Sequence, residues 1–111
     1  MFLPVEIWDL NSLDVQPRHP EVLSSDQEGR AIVINLPAGK SLQEHQVHER
    51  AWLVVLGGLI EVDDSEGECT SGGIGLLAVF DPNERHEVRA VEDARLLLVL
   101  SPWPGEGHPS R

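Results

Sequence analysis

The stretch that decides the fold is Gly39-Lys40-Ser41-Leu42-Gln43-Glu44-His45-Gln46-Val47-His48-Glu49-Arg50-Ala51-Trp52-Leu53-Val54-Val55-Leu56-Gly57-Gly58. Glycines frame it, and two imidazoles, His45 and His48, stand near its middle. The run from Ala51 to Leu56 is aliphatic, aromatic and β-branched, and it stops at a glycine pair, which predicts a strand closed by a turn.

Outward from this run the same punctuation repeats. Ala31 to Leu36 is bounded by Pro37 and Gly39; Leu59 to Val62 stops at Asp63-Asp64-Ser65-Glu66-Gly67. Ile74 to Phe80 stops at Asp81-Pro82-Asn83, and Ala94 to Leu100 at Ser101-Pro102. Each reads as a strand, and Val5 to Leu10 reads as a shorter one. Residues 21–30 are polar and turn-rich. No window of helical length carries a clean 3.6-residue period with caps. Short strands separated by turns predict an all-β sandwich or barrel in a single domain. Two runs, Trp52 to Leu56 and Leu96 to Leu100, do not alternate, so both of their faces need cover: the lumen on one side and another sheet or subunit on the other.

Composition bounds the function. With 111 residues the chain can bury a core without staples. The N-terminus has no basic segment followed by an apolar one, so no signal peptide is expected, and no apolar run reaches the ~20 residues of a membrane span. The single cysteine, Cys69, cannot close an intrachain disulfide, and the expected compartment is the cytoplasm. Nineteen acidic against eight basic residues give a formal charge of −11, with Arg85, Arg89 and Arg95 scattered among carboxylates. Such a surface repels phosphate backbones and anionic membranes, so neither nucleic acid nor membrane is an expected partner. A small organic molecule is.

Gly39, His45 and Gly58 fall where the first cupin motif, G-x5-H-x-H-x3-E-x6-G, places its glycines and first histidine. Gly75, Pro82 and His86 echo the second motif, G-x5-P-x-G-x2-H-x3-N, with one residue more before the proline and one fewer after it. In these features the chain resembles a small single-domain cupin over roughly residues 31 to 100. The resemblance implies a cupin jelly-roll β-barrel, preceded by an arm over residues 1–30 and followed by a Pro/Gly-rich tail over 101–111. It also implies a site in the barrel lumen lined by His45, Val47, Ala51, Leu53 and His86.

The motif is eroded. Val47 stands for the second histidine and Ala51 for the glutamate, and neither ligates a metal; Ala90 replaces the terminal asparagine. What remains of the family's ligand set is His45 and His86, with His48 or Glu49 as substitutes. Glu49 returns to the face of His45 if the chain stays extended, whereas His48 needs a bulge or turn between Val47 and Arg50. Two readings follow. In one, these residues hold a divalent ion (Fe, Mn, Ni or Zn) with open positions for substrate, and oxygenation or isomerisation of a small organic acid or sugar derivative is the chemistry the resemblance suggests. In the other, the lumen binds an organic ligand without metal, as a sensing or binding module. A structural role would show a lumen filled by side chains.

Other signals are weaker. Gly72-Gly73-Ile74-Gly75 precedes a strand and opens no helix, so it does not cradle phosphate. Acidic neighbours around Cys69 predict a raised thiol pKa, hence no nucleophile. Trp103 reads as cover for a barrel mouth, an apolar outer surface or a partner, and His108 as a tail residue without a metal role. Trp52, Val54 and Leu56 alternate with Ala51, Leu53 and Val55, so one set faces outward. A homodimer burying that apolar stripe is expected, against a rival in which Ile7 and Trp8 cover it within one chain.

Overall fold

A computed structural model describes residues 5–17, 19–26, 29–45, 49–82 and 84–101. Nine strands are found among them: β1 (Glu21–Asp26), β2 (Gly29–Leu36), β3 (Ser41–His45), β4 (Arg50–Gly57), β5 (Ile60–Asp63), β6 (Cys69–Gly72), β7 (Leu77–Phe80), β8 (His86–Ala90) and β9 (Ala94–Ser101). They form two antiparallel sheets, ordered β1-β2-β9-β4-β7 and β3-β8-β5-β6. The all-β expectation holds. The predicted strand at Val5 to Leu10 does not form, since residues 5–9 pair with no neighbour. Conversely, the polar stretch 21–30 supplies β1 and the start of β2, which form a hairpin.

The two sheets face each other across one apolar core. Alternation decides which residues enter it. On β4, Ala51, Leu53 and Val55 are buried while Trp52, Val54 and Leu56 are half-buried and point away. Ile60 and Val62 of β5, Val88 and Ala90 of β8, and Leu96 and Leu100 of β9 complete the inner layer with Phe80. Leu53, Ile60, Leu96 and Val88 are essentially without solvent contact, and burial of such side chains contributes about 1.5–3 kcal/mol each.

Glycines set the corners. Gly39, Gly58 and Gly75, the three framing glycines, all have positive φ, near 83°, 83° and 94°, a region costly to residues with a Cβ. Gly39 N–H donates to Ala90 O at 2.9 Å, and Gly75 N–H to Val55 O at 2.9 Å. Gly39 and Gly75 thus each turn the chain and return a backbone donor to a neighbouring strand. Asn83, in the turn expected after Phe80, lies outside the described residues.

The outer face of the four-stranded sheet is polar. Arg89 donates to Asp63 at 2.6 and 3.2 Å, to Glu87 at 2.9 Å and to Glu61 at 3.2 Å. These contacts hold Asp63 below the usual carboxylate range, chiefly through the Arg89 hydrogen bond, and raise the Arg89 guanidinium further. The hydrogen bond to Asp63 pushes the exposed Cys69 thiol up, with burial and the charges of Asp63 and Glu61 adding to it, as the acidic setting predicts. Asp63→Asn should therefore speed alkylation of Cys69 by iodoacetamide at mildly alkaline pH, because the thiolate is the reacting form. An unchanged rate would show that Asp63 does not control the thiol.

Candidate functional site

The site is built at one end of the barrel, where β3 and β8 pair. In their register His45 lies directly opposite His86, and Leu42 opposite Val88. Two residues separate Leu42 from His45 and only one separates Val88 from His86, so β3 carries an irregularity between Leu42 and His45. One extra residue resets the strand's parity. The bulge or turn expected between Val47 and Arg50 concerns Val47 and His48, which lie outside the described residues.

His86 is fixed from two sides. Its ring stacks on Phe80 with centroids 3.8 Å apart and planes 8° from parallel. Phe80 belongs to β7 in one sheet and His86 to β8 in the other, so this stack ties the sheets together at the mouth. Nδ1 lies 3.1 Å from Glu84 O. A carbonyl oxygen only accepts, so in the neutral ring Nδ1 carries the proton and Nε2 the lone pair.

A cavity of about 60 Å³ opens beside this ring, lined by Leu42, Ala51, Leu53, Phe80, His86, Val88, Leu98 and Leu100. Of the expected lumen residues, the structure thus brings Ala51, Leu53 and His86 to one wall. It also adds Phe80, which the motif reading missed. The available signal was its place at the end of a strand of inward alternation, Ala78 and Phe80, just before the second motif's proline.

The residues around the mouth are charged and paired. Glu49 receives a hydrogen bond from Arg30 Nη2 at 2.6 Å, so its carboxylate is engaged by β2. Arg50 Nη1 meets Asp81 Oδ1 at 2.6 Å. Among the described residues no group of three or more His, Cys, Asp or Glu side chains stands together as a metal would require. The donors described there do not by themselves make the three- or four-ligand set typical of protein-bound transition metals.

The arrangement of two facing antiparallel sheets recurs in solved structures. KdgF from Halomonas sp. superimposes with a TM-score of 0.77 at 18% identity, covering 93% of this chain and 98% of that one. An RmlC-like cupin from Desulfovibrio desulfuricans gives 0.77 at 20% identity, over 88% and 97% of the two chains. The chain has the cupin fold. A protein of unknown function from Streptococcus pyogenes, SPY1581, matches this chain with a TM-score of 0.73 at 22% identity over 90% of each chain. No protein-family model matches, and no curated protein does either. At these identities the likeness concerns the fold, which hosts many unrelated activities.

Proposed function

We propose that this cupin binds a small organic molecule at the barrel mouth, with His86 as its polar contact and Ala51, Leu53 and Phe80 as the apolar wall. The observation that carries the reading is the oriented imidazole: one face covered by Phe80, Nδ1 committed to Glu84 O, in a wall otherwise made of carbon. An apolar site with few placed polar groups is how small-molecule pockets obtain both affinity and orientation. The cavity itself is small, about 60 Å³, so most of the ligand rests in the mouth. Binding without turnover fits best, because no described carboxylate, thiol or hydroxyl lines the cavity beside His86 to act as a second acid or base.

A metal centre is the second reading, favoured by the register that sets His45 across from His86. These two imidazoles, with His48 or Glu49, would be its ligands, and a divalent ion there would act as a Lewis acid. The engagement of Glu49 by Arg30 speaks for the metal-free reading.

A thermal-shift screen of small organic acids and sugar derivatives tests the proposal. Compounds that raise the melting temperature of the wild type should lose most of that shift in His86→Ala; hits that stabilise both proteins equally would place the ligand elsewhere. Elemental analysis separates the two readings. The metal-free reading expects substoichiometric metal, unaltered in His45→Ala and His86→Ala. Stoichiometric metal that disappears in both variants would establish the metal centre instead.

A further inference from the structure

We propose that a cavity at the other end of the five-stranded sheet is a second binding site, which takes a small monocarboxylate on Arg95. On the β4–β9 ladder the mouth lies at the Arg50–Ser101 pair, whereas this cavity lies at the Gly57–Arg95 pair. Seven residues of strand, about 23 Å at 3.3 Å each, separate them. The cavity measures about 380 Å³, within the roughly 300–1,000 Å³ of small-molecule sites, and is several times larger than the one beside His86. Its walls are mainly apolar, formed by Pro17 from the N-terminal arm and by Leu36, Pro37 and Ala94 from the sheet.

Arg95 is unlike the other arginines whose pairing is described. Arg30, Arg50 and Arg89 each meet at least one carboxylate. Among the described residues Arg95 meets none, although acidic residues outnumber basic ones more than twofold in this chain. Its guanidinium is instead held by neutral acceptors: Nε donates to Asn35 Oδ1 at 2.9 Å, and Nη1 to Leu10 O at 2.9 Å and Leu13 O at 2.8 Å. Asn35 Nδ2 in turn donates to Val15 O at 2.7 Å. The side chain is therefore fixed in place without a carboxylate bonded to it, and Nη2 has no hydrogen-bond partner among the described residues. A preorganised guanidinium is suited to an anion, because little rotamer freedom is lost when the anion arrives.

The neighbours define which anion. Asp93 lines the same cavity, its Oδ1 accepting from Ala38 N–H at 2.8 Å. That carboxylate, together with the acidic surface, disfavours a dianion such as a phosphate monoester. A single carboxylate on an apolar body matches one guanidinium and a hydrocarbon wall.

Hexanoate and benzoate at millimolar concentration are the probes, with hexanamide as the neutral counterpart, followed by amide chemical shifts of the full chain. The carboxylates should move the resonances of Gly57, Gly58, Ala94 and Arg95, and hexanamide should bind at least tenfold more weakly, as expected for loss of a charge-assisted hydrogen bond. Arg95→Met should weaken hexanoate about tenfold or more. Because this change also releases the arm from Arg95, Gly57→Leu supplies an independent block: Gly57 lines the cavity, has ordinary φ, and a Cβ there meets nothing within 4 Å. It should abolish the shifts while leaving the melting temperature near that of the wild type. No carboxylate-induced shift at these residues, equal binding of hexanamide, or full binding by a folded Gly57→Leu would each overturn the proposal.

Discussion

Gly58→Ala is expected to destabilise the protein by about 3 kcal/mol or more, whereas Gly39→Ala costs about 1–2 kcal/mol. Both glycines have φ near 83°, so the price of placing an L-residue in that region is common to them. The surroundings differ. A Cβ at Gly39 meets nothing within 4 Å, but at Gly58 it falls 2.1 Å from Asp93 O and 2.7 Å from Ala94 Cα. Both atoms are backbone and cannot swing aside. The turn that carries them is held down by Val91 N–H and Glu92 N–H on Leu59 O, at 2.8 and 3.2 Å. Relief of the clash therefore requires β9 to shift at its first residues, where Ala94 and Leu96 enter the core. Urea denaturation of the two variants measures the difference, and equal losses would show that the turn over Gly58 yields easily.

In solution the chain should form a dimer that Trp52→Glu dissociates. The outward residues of the five-stranded sheet make a continuous apolar face. Trp52 lies beside Val99 and Val79, and Val54 beside Leu97 and Leu77. Leu77 and Val79, on the terminal strand of the sheet, are 56% and 45% exposed. Of the rival cover from the same chain, Ile7 is 82% exposed and Trp8 37%, while Val15 of the arm and Val33 of β2 are buried and leave the Trp52–Leu77 side of the face open. Arg50–Asp81 borders the face at one end and Arg95–Asn35 at the other, an apolar centre with a polar rim. Charge selects the occupant. Two copies of a chain carrying −11 repel over most of their surface, and this uncharged face lets them meet without apposing carboxylates. Light scattering should give about twice the 12.2 kDa of one chain. Trp52→Glu buries two carboxylates near the symmetry axis and should yield a folded monomer. A wild-type mass of one chain, or a Trp52→Glu protein that stays dimeric and folded, would refute the assignment.

The legibility of the sequence followed burial. β2, β4, β5, β7 and β9 announced themselves as β-branched or aliphatic runs, and four of these five build the sheet with two apolar faces. β8 and β6 were not read as strands. The sheet they belong to has one face toward water, so Val88 and Ala90 alternate with Glu87 and Arg89, and Cys69 to Gly72 has no inward bulky residue at all. β1 was hidden for a similar reason, as an edge strand of sequence EVLSSD. The opposite error, a strand at Val5 to Leu10, shows that alternation alone does not supply a pairing partner. At the site, the motif spacing located His86, Ala51 and Leu53 on the cavity wall. It did not reveal that Arg30 engages Glu49, a contact between residues nineteen apart that no local pattern encodes.

The stack between Phe80 and His86 has a spectroscopic consequence. Rings 3.8 Å apart and within 8° of parallel place the imidazole protons in the shielding cone of the phenyl ring. The His86 Hδ2 and Hε1 resonances should accordingly lie upfield of those of an exposed histidine such as His19. Because the two rings come from different sheets, any occupant that parts the sheets at the mouth would relax this displacement, so the protein carries its own reporter of the distance between them.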